Sequence, residues 1–378
     1  MTSPLFDVAV VGLGAMGSAA AFHLARRGQQ VLGLDRYAPP HELGSSHGQT
    51  RIIREAYFEH PAYVPLVQRA YQLWEALQQQ TGRALLLPTG GLTIGKPNGV
   101  QVSGALRSAE IHHLPHEVLS AAQVRQRFPA LNPDPDMVAV WEPRAGILFP
   151  EACIESHLEL ARQHGAHVLT NQAVLGWQAE ANGVRLFGAG REFRARHLLM
   201  CAGAWMTQLV PDLQLPLSVE RQVLFWFAPH ADQAHFAPAR CPISLWEYEP
   251  GHSCYAFPDL GEGVKIARHH QGELTVPDSV RREVDVLEVE AMRPLLRRYL
   301  PKADGACVHS AVCLYTNTPD FHFLIDVHPR YQQVVIASPC SGHGFKFASA
   351  IGELLADLVL TGKTDFDVSL FKLKRFTV

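Results

Sequence analysis

The chain has no CxxC pair and no HExxH spacing, although it carries seven cysteines and 20 histidines. The first absence argues against a disulfide framework or zinc ribbon, the second against a zinc-protease site. Cys153, Cys201, Cys241, Cys254, Cys307, Cys313 and Cys340 are odd in number and scattered, as expected of reduced thiols in a cytoplasmic protein. Neither sign of charge dominates: a net charge of −3 offers little to nucleic acid or an anionic membrane surface. No apolar run is long enough to cross a bilayer, and no basic stretch with a cleavable apolar segment stands at the N-terminus. Nucleic-acid, membrane and metal partners are not expected, and the cytoplasm is the expected location.

What is present is a globular composition, with 47% hydrophobic and 18% charged residues over 378 positions, enough for two domains. The most informative stretch is the first. Residues 8–11 form a short apolar run suited to a strand buried on both faces. Gly12-Leu-Gly-Ala-Met-Gly17 follows, then a helical pattern closed by Gly28, then a second apolar run, 31–34, that ends in Asp35. Strand, glycine turn, helix, strand and acid together make a dinucleotide-binding fingerprint. Gly12 permits the turn, Gly14 lets a pyrophosphate approach the backbone, and Gly17 lets the helix lie close to the strand. Asp35 suits ribose hydroxyls. The stretch leaves NAD and FAD both open, because they share the ADP half.

Further along, a loop rich in Gly, Ser and His (44–54) leads to Arg51 and Arg54, compatible with anion contact or with a solvated loop. Residues 65–80 have the spacing of an amphipathic helix stopped by Gly82. Short strands are expected at 85–95, 146–149 and 167–170, and a β-meander over 174–188. The apolar run 197–201 leads into Ala202-Gly203-Ala-Trp205, a strand edge where glycine can meet a nucleotide. Residues 221–227, 254–257 and 263–269 alternate as antiparallel strands do, which puts Lys265 and His269 on one face. Residues 284–300 read as a helix that Pro294 kinks or splits. Strands at 309–315, 321–327 and 333–337 should return the chain to the first domain. Ser341-Gly-His-Gly-Phe-Lys-Phe347 then opens a helix, an anion-friendly terminus with Lys346 beside it.

Set side by side, these motifs resemble the monomeric sarcosine oxidase and N-methyltryptophan oxidase family of D-amino-acid-oxidase-like flavoenzymes. Pro39-Pro-His41, His47-Gly-Gln-Thr-Arg-Ile-Ile-Arg54, Tyr63-Val-Pro65, Gly263-Val-Lys-Ile266, Ala311-Val-Cys-Leu-Tyr-Thr316 and Thr361-Gly-Lys-Thr-Asp-Phe-Asp367 extend the likeness nearly end to end. It implies an α/β fold: a Rossmann-like FAD-binding domain (1–85, 148–212 and 308–378) and a second, α+β substrate domain on an antiparallel sheet (86–147 and 213–307). The implied reaction is oxidation of the N-methyl group of a small amino acid, sarcosine first, by O2, in a monomer. Formaldehyde, the primary amine and hydrogen peroxide result. N-Methyltryptophan or pipecolate-type oxidation is the second reading; an NAD-dependent dehydrogenase and a non-catalytic flavin-binding protein are the remaining ones.

The resemblance also implies roles. FAD is bound by Gly12, Gly14, Ala15, Met16, Gly17, Asp35 and Arg36, by Ser45, His47, Thr50 and Arg51, and by Ala202, Gly203 and Trp205. Gly342, His343, Gly344, Phe345 and Lys346 hold its other end, with Cys313 as a covalent thioether to the 8α-methyl carbon. Arg54 and Lys346 match carboxylate clamps, and Tyr255, Leu245 and Gly342 complete the substrate pocket. His269 and Tyr315 also line it. Lys265 and Arg51 match positive residues that favour electron transfer to O2, and His47 a residue beside the flavin's dimethylbenzene ring. Gln49, Arg268, Pro339-Cys340 and the Leu245-Trp246 pair depart from the family pattern, the last bearing on substrate size.

Overall fold

The computed structural model describes residues 4–376. Leu5–Val11 is a parallel strand between Val31–Leu34 on one side and Arg191–Met200 on the other. Tyr331–Ser338 and His167–Leu169 extend this parallel core at its two ends. Val174–Glu180 and Gly183–Gly188 join it as the expected meander, and Leu324–His328 pairs antiparallel with Tyr331–Ser338. The unbroken apolar run of the first strand has its reason here. Val8 and Val10 pack into one core with Phe22, Trp74 and Leu354, while Ala9 and Val11 pack into another with Leu34, Met200 and Ile336.

The helix Ala15–Arg26 begins directly after the glycine turn. A Cβ on Gly17 would collide with the Gly12 carbonyl, so the close approach of helix to turn requires glycine. Gly12 has φ +86°, and a Cβ there would strike the Cys201 carbonyl of the neighbouring strand.

A second, nine-stranded sheet runs Glu273–Leu274, Ser218–Phe227, Val264–His269, His252–Phe257, Ile243–Glu249, Gly91–Gly95, Val138–Glu142 and Glu117–Ser120, with Cys307–Asn317 as its ninth strand beside Ser218–Phe227. All of its pairings are antiparallel except that of Ile243–Glu249 with Gly91–Gly95. The helix Val286–Tyr299 covers this sheet with Met292, Leu295, Leu296 and Tyr299 inward, against Trp246 and Phe227. It starts on a capping box of Asp285 and Glu288 and continues through Pro294 as one helix, so of the expected kink or split the split is absent. Pro294 stands on the exposed face, and the helix is held by packing on its other side.

One strand changes its expected place. The strand expected at 309–315 to return the chain to the first domain spans Cys307–Asn317 and pairs along its length with Ser218–Phe227 in the antiparallel sheet. The chain re-enters the parallel sheet only at Leu324–His328. Alternation alone does not tell a strand which sheet to join; the partner does. A small third sheet, Arg51–Ile53 with Gly146–Leu148 and Leu86–Pro88, stands beside the two large ones. The two short strands read at 85–95 therefore belong to different sheets.

Candidate functional site

A single cavity extends from the glycine turn to the face of the antiparallel sheet. At its first end lie Gly12, Gly14, Ala15, Met16, Asp35 and Arg36, with Ala202, Gly203 and Trp205 opposite. Space beside Gly14 is open: the nearest atom to a Cβ built there is Ser46 Oγ at 3.7 Å. Asp35 accepts the Leu13 amide at 2.7 Å and the Tyr37 amide at 2.8 Å, so the second strand's end is tied to the turn. Each carboxylate oxygen keeps a lone pair for a further donor.

The far end is assembled from distant segments. Arg51, Arg54, Leu245, Tyr255, His269, Cys313, Tyr315, Gly342 and Lys346 all line it. The sheet explains part of this convergence. Tyr255 and Leu245 are cross-strand partners, and Cys313 and Tyr315 lie two residues apart on one strand, on the same face. His269 Nδ1 lies 3.2 Å from the Tyr315 hydroxyl. Burial pushes His269 well below its ordinary pKa, and the nearby His270, His343, Lys346 and Arg54 push it further, so the ring is neutral.

Arg54 is almost fully buried, and its Nη2 donates to both Glu59 carboxylate oxygens, at 2.8 and 3.1 Å, while Nη1 donates to the Ala56 carbonyl at 2.8 Å. Burial alone would raise the Glu59 carboxyl; the Arg54 charge, with that of Lys346 and the hydrogen bonds from Arg54, outweighs it and holds the group below the carboxylate range. Lys346 donates to the His343 carbonyl at 2.8 Å and to the Tyr57 hydroxyl at 3.4 Å. Burial and the Arg54 and Arg51 charges push Lys346 down to about 7, against the pull of Glu59. Cys313 Sγ lies 3.6 Å from an Arg51 nitrogen and 3.6 Å from the Ser45 carbonyl.

Three expected site residues do not line the cavity. Gly17 is spent on helix packing. Lys265 stands behind the wall, donating to the Gly48 carbonyl at 2.6 Å, to Thr50 Oγ1 at 3.0 Å and to the Thr50 carbonyl at 3.1 Å. Its ammonium lies between the Trp226 and Phe257 rings, 5.1 and 5.0 Å from their centroids. Burial, then the Arg51 charge, lowers its pKa well below the ordinary value. His47 is buried too, pushed down to about 3 by burial and then by Arg51 and Lys265; its Nε2 has no hydrogen-bond partner among the described residues.

The departures mostly fall outside the cavity. Trp246 points into the second core, stacked on Tyr299 at 4.7 Å, so of that pair only Leu245 forms the wall. Arg268 donates to the Ala291 carbonyl of the covering helix at 2.8 Å. Gln49 reaches Glu151 through its amide and Glu262 through its side chain. Cys340 does line the cavity. Residues that sequence reasoning missed are Glu59, Tyr57 and Asp278. Asp278 crosses from the antiparallel sheet's connections to bind Arg36 at 2.7 Å, Trp205 at 2.9 Å and Gln208 at 3.0 Å. Nothing in its own charged, aperiodic stretch signals this. For Glu59 the signal was present, an acid five residues after an arginine already suspected of binding anions.

A glycine turn open at Gly14, an acid at the end of the second strand, and a cavity continuing under a separate sheet define a dinucleotide-binding oxidoreductase of the two-part kind. The chain belongs to the FAD dependent oxidoreductase family, whose model matches residues 7–358. It is 44% identical to the monomeric sarcosine oxidase of Streptomyces avermitilis, over 99% of this chain and 98% of that one. It is 34% identical to the N-methyl-L-tryptophan oxidase of Salmonella dublin, over 98% and 99% of the two. Among solved structures, NikD, an amino acid oxidase of nikkomycin biosynthesis, superposes with a TM-score of 0.84 at 23% identity, each chain 98% covered. The residues present fit FAD: the open space at Gly14 and the residual acceptors of Asp35 suit its ADP half. The cavity then leads to the Gly342–Gly344 turn. No helix of the described residues is long and apolar enough to cross a membrane, and no cluster of metal-ligating residues is found among them.

Proposed function

We propose that this protein oxidises the secondary amine of an N-methyl amino acid, sarcosine before the others, with O2 as acceptor. The observation that carries the reading is the convergence of two buried cations, Arg54 and Lys346, beside Tyr255, Tyr315 and a neutral His269 at one end of the dinucleotide cavity. A carboxylate is held by the cations, which leaves the adjacent C–N bonds against aromatic and apolar walls. Bound FAD supplies the two-electron acceptor for the carbon next to nitrogen. The positive neighbours disfavour a protonated substrate amine, so the reactive free amine is the form this pocket favours. Overall, N-methyl amino acid, water and O2 give the primary amino acid, formaldehyde and hydrogen peroxide.

The division into an FAD-binding part (1–85, 148–212 and the C-terminal segment) and a substrate part (86–147 and 213–307) belongs to the same reading. The strand Cys307–Asn317 now counts with the substrate part. Cys313 is the proposed site of an 8α thioether: it is buried, lines the cavity and lies on the same sheet face as Tyr315. Lys265 and Arg51 supply preorganised positive charge for reduction of O2. The protein acts as a cytoplasmic monomer. N-Methyltryptophan is the second reading; Leu245, the only member of the Leu245-Trp246 pair in the wall, is the residue whose size bears on it. Peroxide-coupled turnover of sarcosine, N-methyltryptophan, N-methylalanine and pipecolate separates the substrates. Yellow colour retained after acid precipitation supports the thioether, and its loss defeats it.

A further inference from the structure

We infer that Tyr57 and His343 are positioning residues that aim Lys346 at the substrate carboxylate, through a directed hydrogen-bond chain ending on the Phe321 carbonyl. Tyr57 is fully buried and does not line the cavity, yet it touches both clamp cations. The Arg54 guanidinium stacks over its ring at 4.3 Å, and Lys346 Nζ lies 3.4 Å from its hydroxyl. Ser108 Oγ holds the Tyr57 carbonyl at 2.5 Å, which fixes the backbone beneath it.

The direction of the chain follows from donor chemistry. His343 Nε2 is 2.9 Å from the Phe321 carbonyl, which only accepts, so Nε2 carries the proton. Burial pushes His343 down to about 3, so its ring is neutral and Nδ1 is an acceptor. The Tyr57 hydroxyl, 2.6 Å from Nδ1, must therefore donate to it. That leaves the phenol oxygen's lone pairs to accept from Lys346. With the His343 carbonyl at 2.8 Å taking a second N–H, two of the three ammonium protons have fixed partners. The third is left for the cavity, where Lys346 is part of the lining.

The chain also stabilises the charged form of a lysine that its surroundings discharge. Around Lys346 stand Arg54 and Glu59 from the loop after Arg51–Ile53, Arg51 from that strand, His343 from the turn and His269 from the antiparallel sheet. Glu59 is the only anion among them, and both of its oxygens accept from Arg54 Nη2. The acceptors on Tyr57 and His343 thus favour the ammonium. With its pKa already lowered to about 7, Lys346 is charged below that pH and loses its proton as pH rises through it.

The inference rests on the carboxylate-clamp reading, and propionate, a carboxylate without an amine, tests the two separately. Its binding to the holoenzyme is followed by the flavin's visible absorbance across pH. In the wild type the dissociation constant is flat from above the acid range in which propionate itself protonates up to about pH 7, and rises beyond it. In Tyr57→Phe the rise should begin about one pH unit lower, the equivalent of one hydrogen bond to a charged group. A 3-fluorotyrosine at position 57 keeps the shape and weakens the oxygen as an acceptor, and should move the midpoint the same way by less. A merely structural role would change affinity without moving the midpoint, and an unmoved midpoint in both variants overturns the inference. Propionate failing to bind any form at any pH overturns the clamp reading instead.

Discussion

The two ends of the cavity are built in opposite ways. At the ADP end, the turn and its acid come from one contiguous stretch, residues 12–35, and the contacts that shape it are backbone ones: a helix start, a tight turn and two amides on Asp35. At the other end, Arg54, Tyr255, His269, Cys313 and Lys346 come from five separate segments and meet as side chains on two sheets and a helical turn. A backbone-built site tolerates no added atom where the chain closes on itself, at Gly12 and Gly17, but accepts many side chains around it. A side-chain site can exchange its members one at a time, each with its own consequence for chemistry.

The largest effect should come from adding one methyl group at the backbone-built end. Gly17→Ala forces the first helix off the Gly12 carbonyl and should cost about 3 kcal/mol or more, seen as a lowered melting temperature and lost flavin. A stable, fully flavinated variant would break the contrast. At the other end, Lys265→Met should slow reoxidation of reduced flavin by O2 by about 100-fold and flavin reduction by substrate far less. Stopped-flow measurement of the two half-reactions decides it, and equal slowing of both would remove the role given to Lys265.

Arg54→Lys loses the forked geometry while keeping the charge, and should raise KM for carboxylate substrates about tenfold, with a smaller change in kcat. An unchanged KM would place the carboxylate elsewhere. The smallest effect is expected where the two ends are strapped together. Asp278→Asn removes an exposed pair to Arg36 and should lower stability by about 0.5 kcal/mol, less at high salt. A salt-independent loss much larger than this would mean that the strap holds the cofactor end closed.

The ADP end was legible residue by residue, because its physics is local. Glycine at a positive φ, glycine under a helix and an acid at a strand's end each show in the spacing itself. The chemistry end was legible only as membership. Arg54, Tyr255, His269, Tyr315, Cys313 and Lys346 were expected together through family likeness, and the structure does bring them to one cavity. Their individual states were not visible. The five-residue spacing pointed to the Arg54–Glu59 pair, but nothing in it said that Lys265 stands behind Thr50, or that Trp246 turns its ring into the second core. That Pro294 does not split its helix has a related reason: packing on the far side of the helix outweighs one missing N–H.

The sequence by itself determined the dinucleotide turn, the parallel strand buried on both faces, and the inventory of cations and aromatics available for chemistry. Only the tertiary structure decided which sheet Cys307–Asn317 joins, which acid faces which arginine, and which way the proton lies between Tyr57 and His343. The division has a physical cause. Backbone conformation and burial periodicity are set within a few residues, whereas hydrogen-bond direction and charge state depend on what is packed alongside, and those neighbours come from hundreds of residues away.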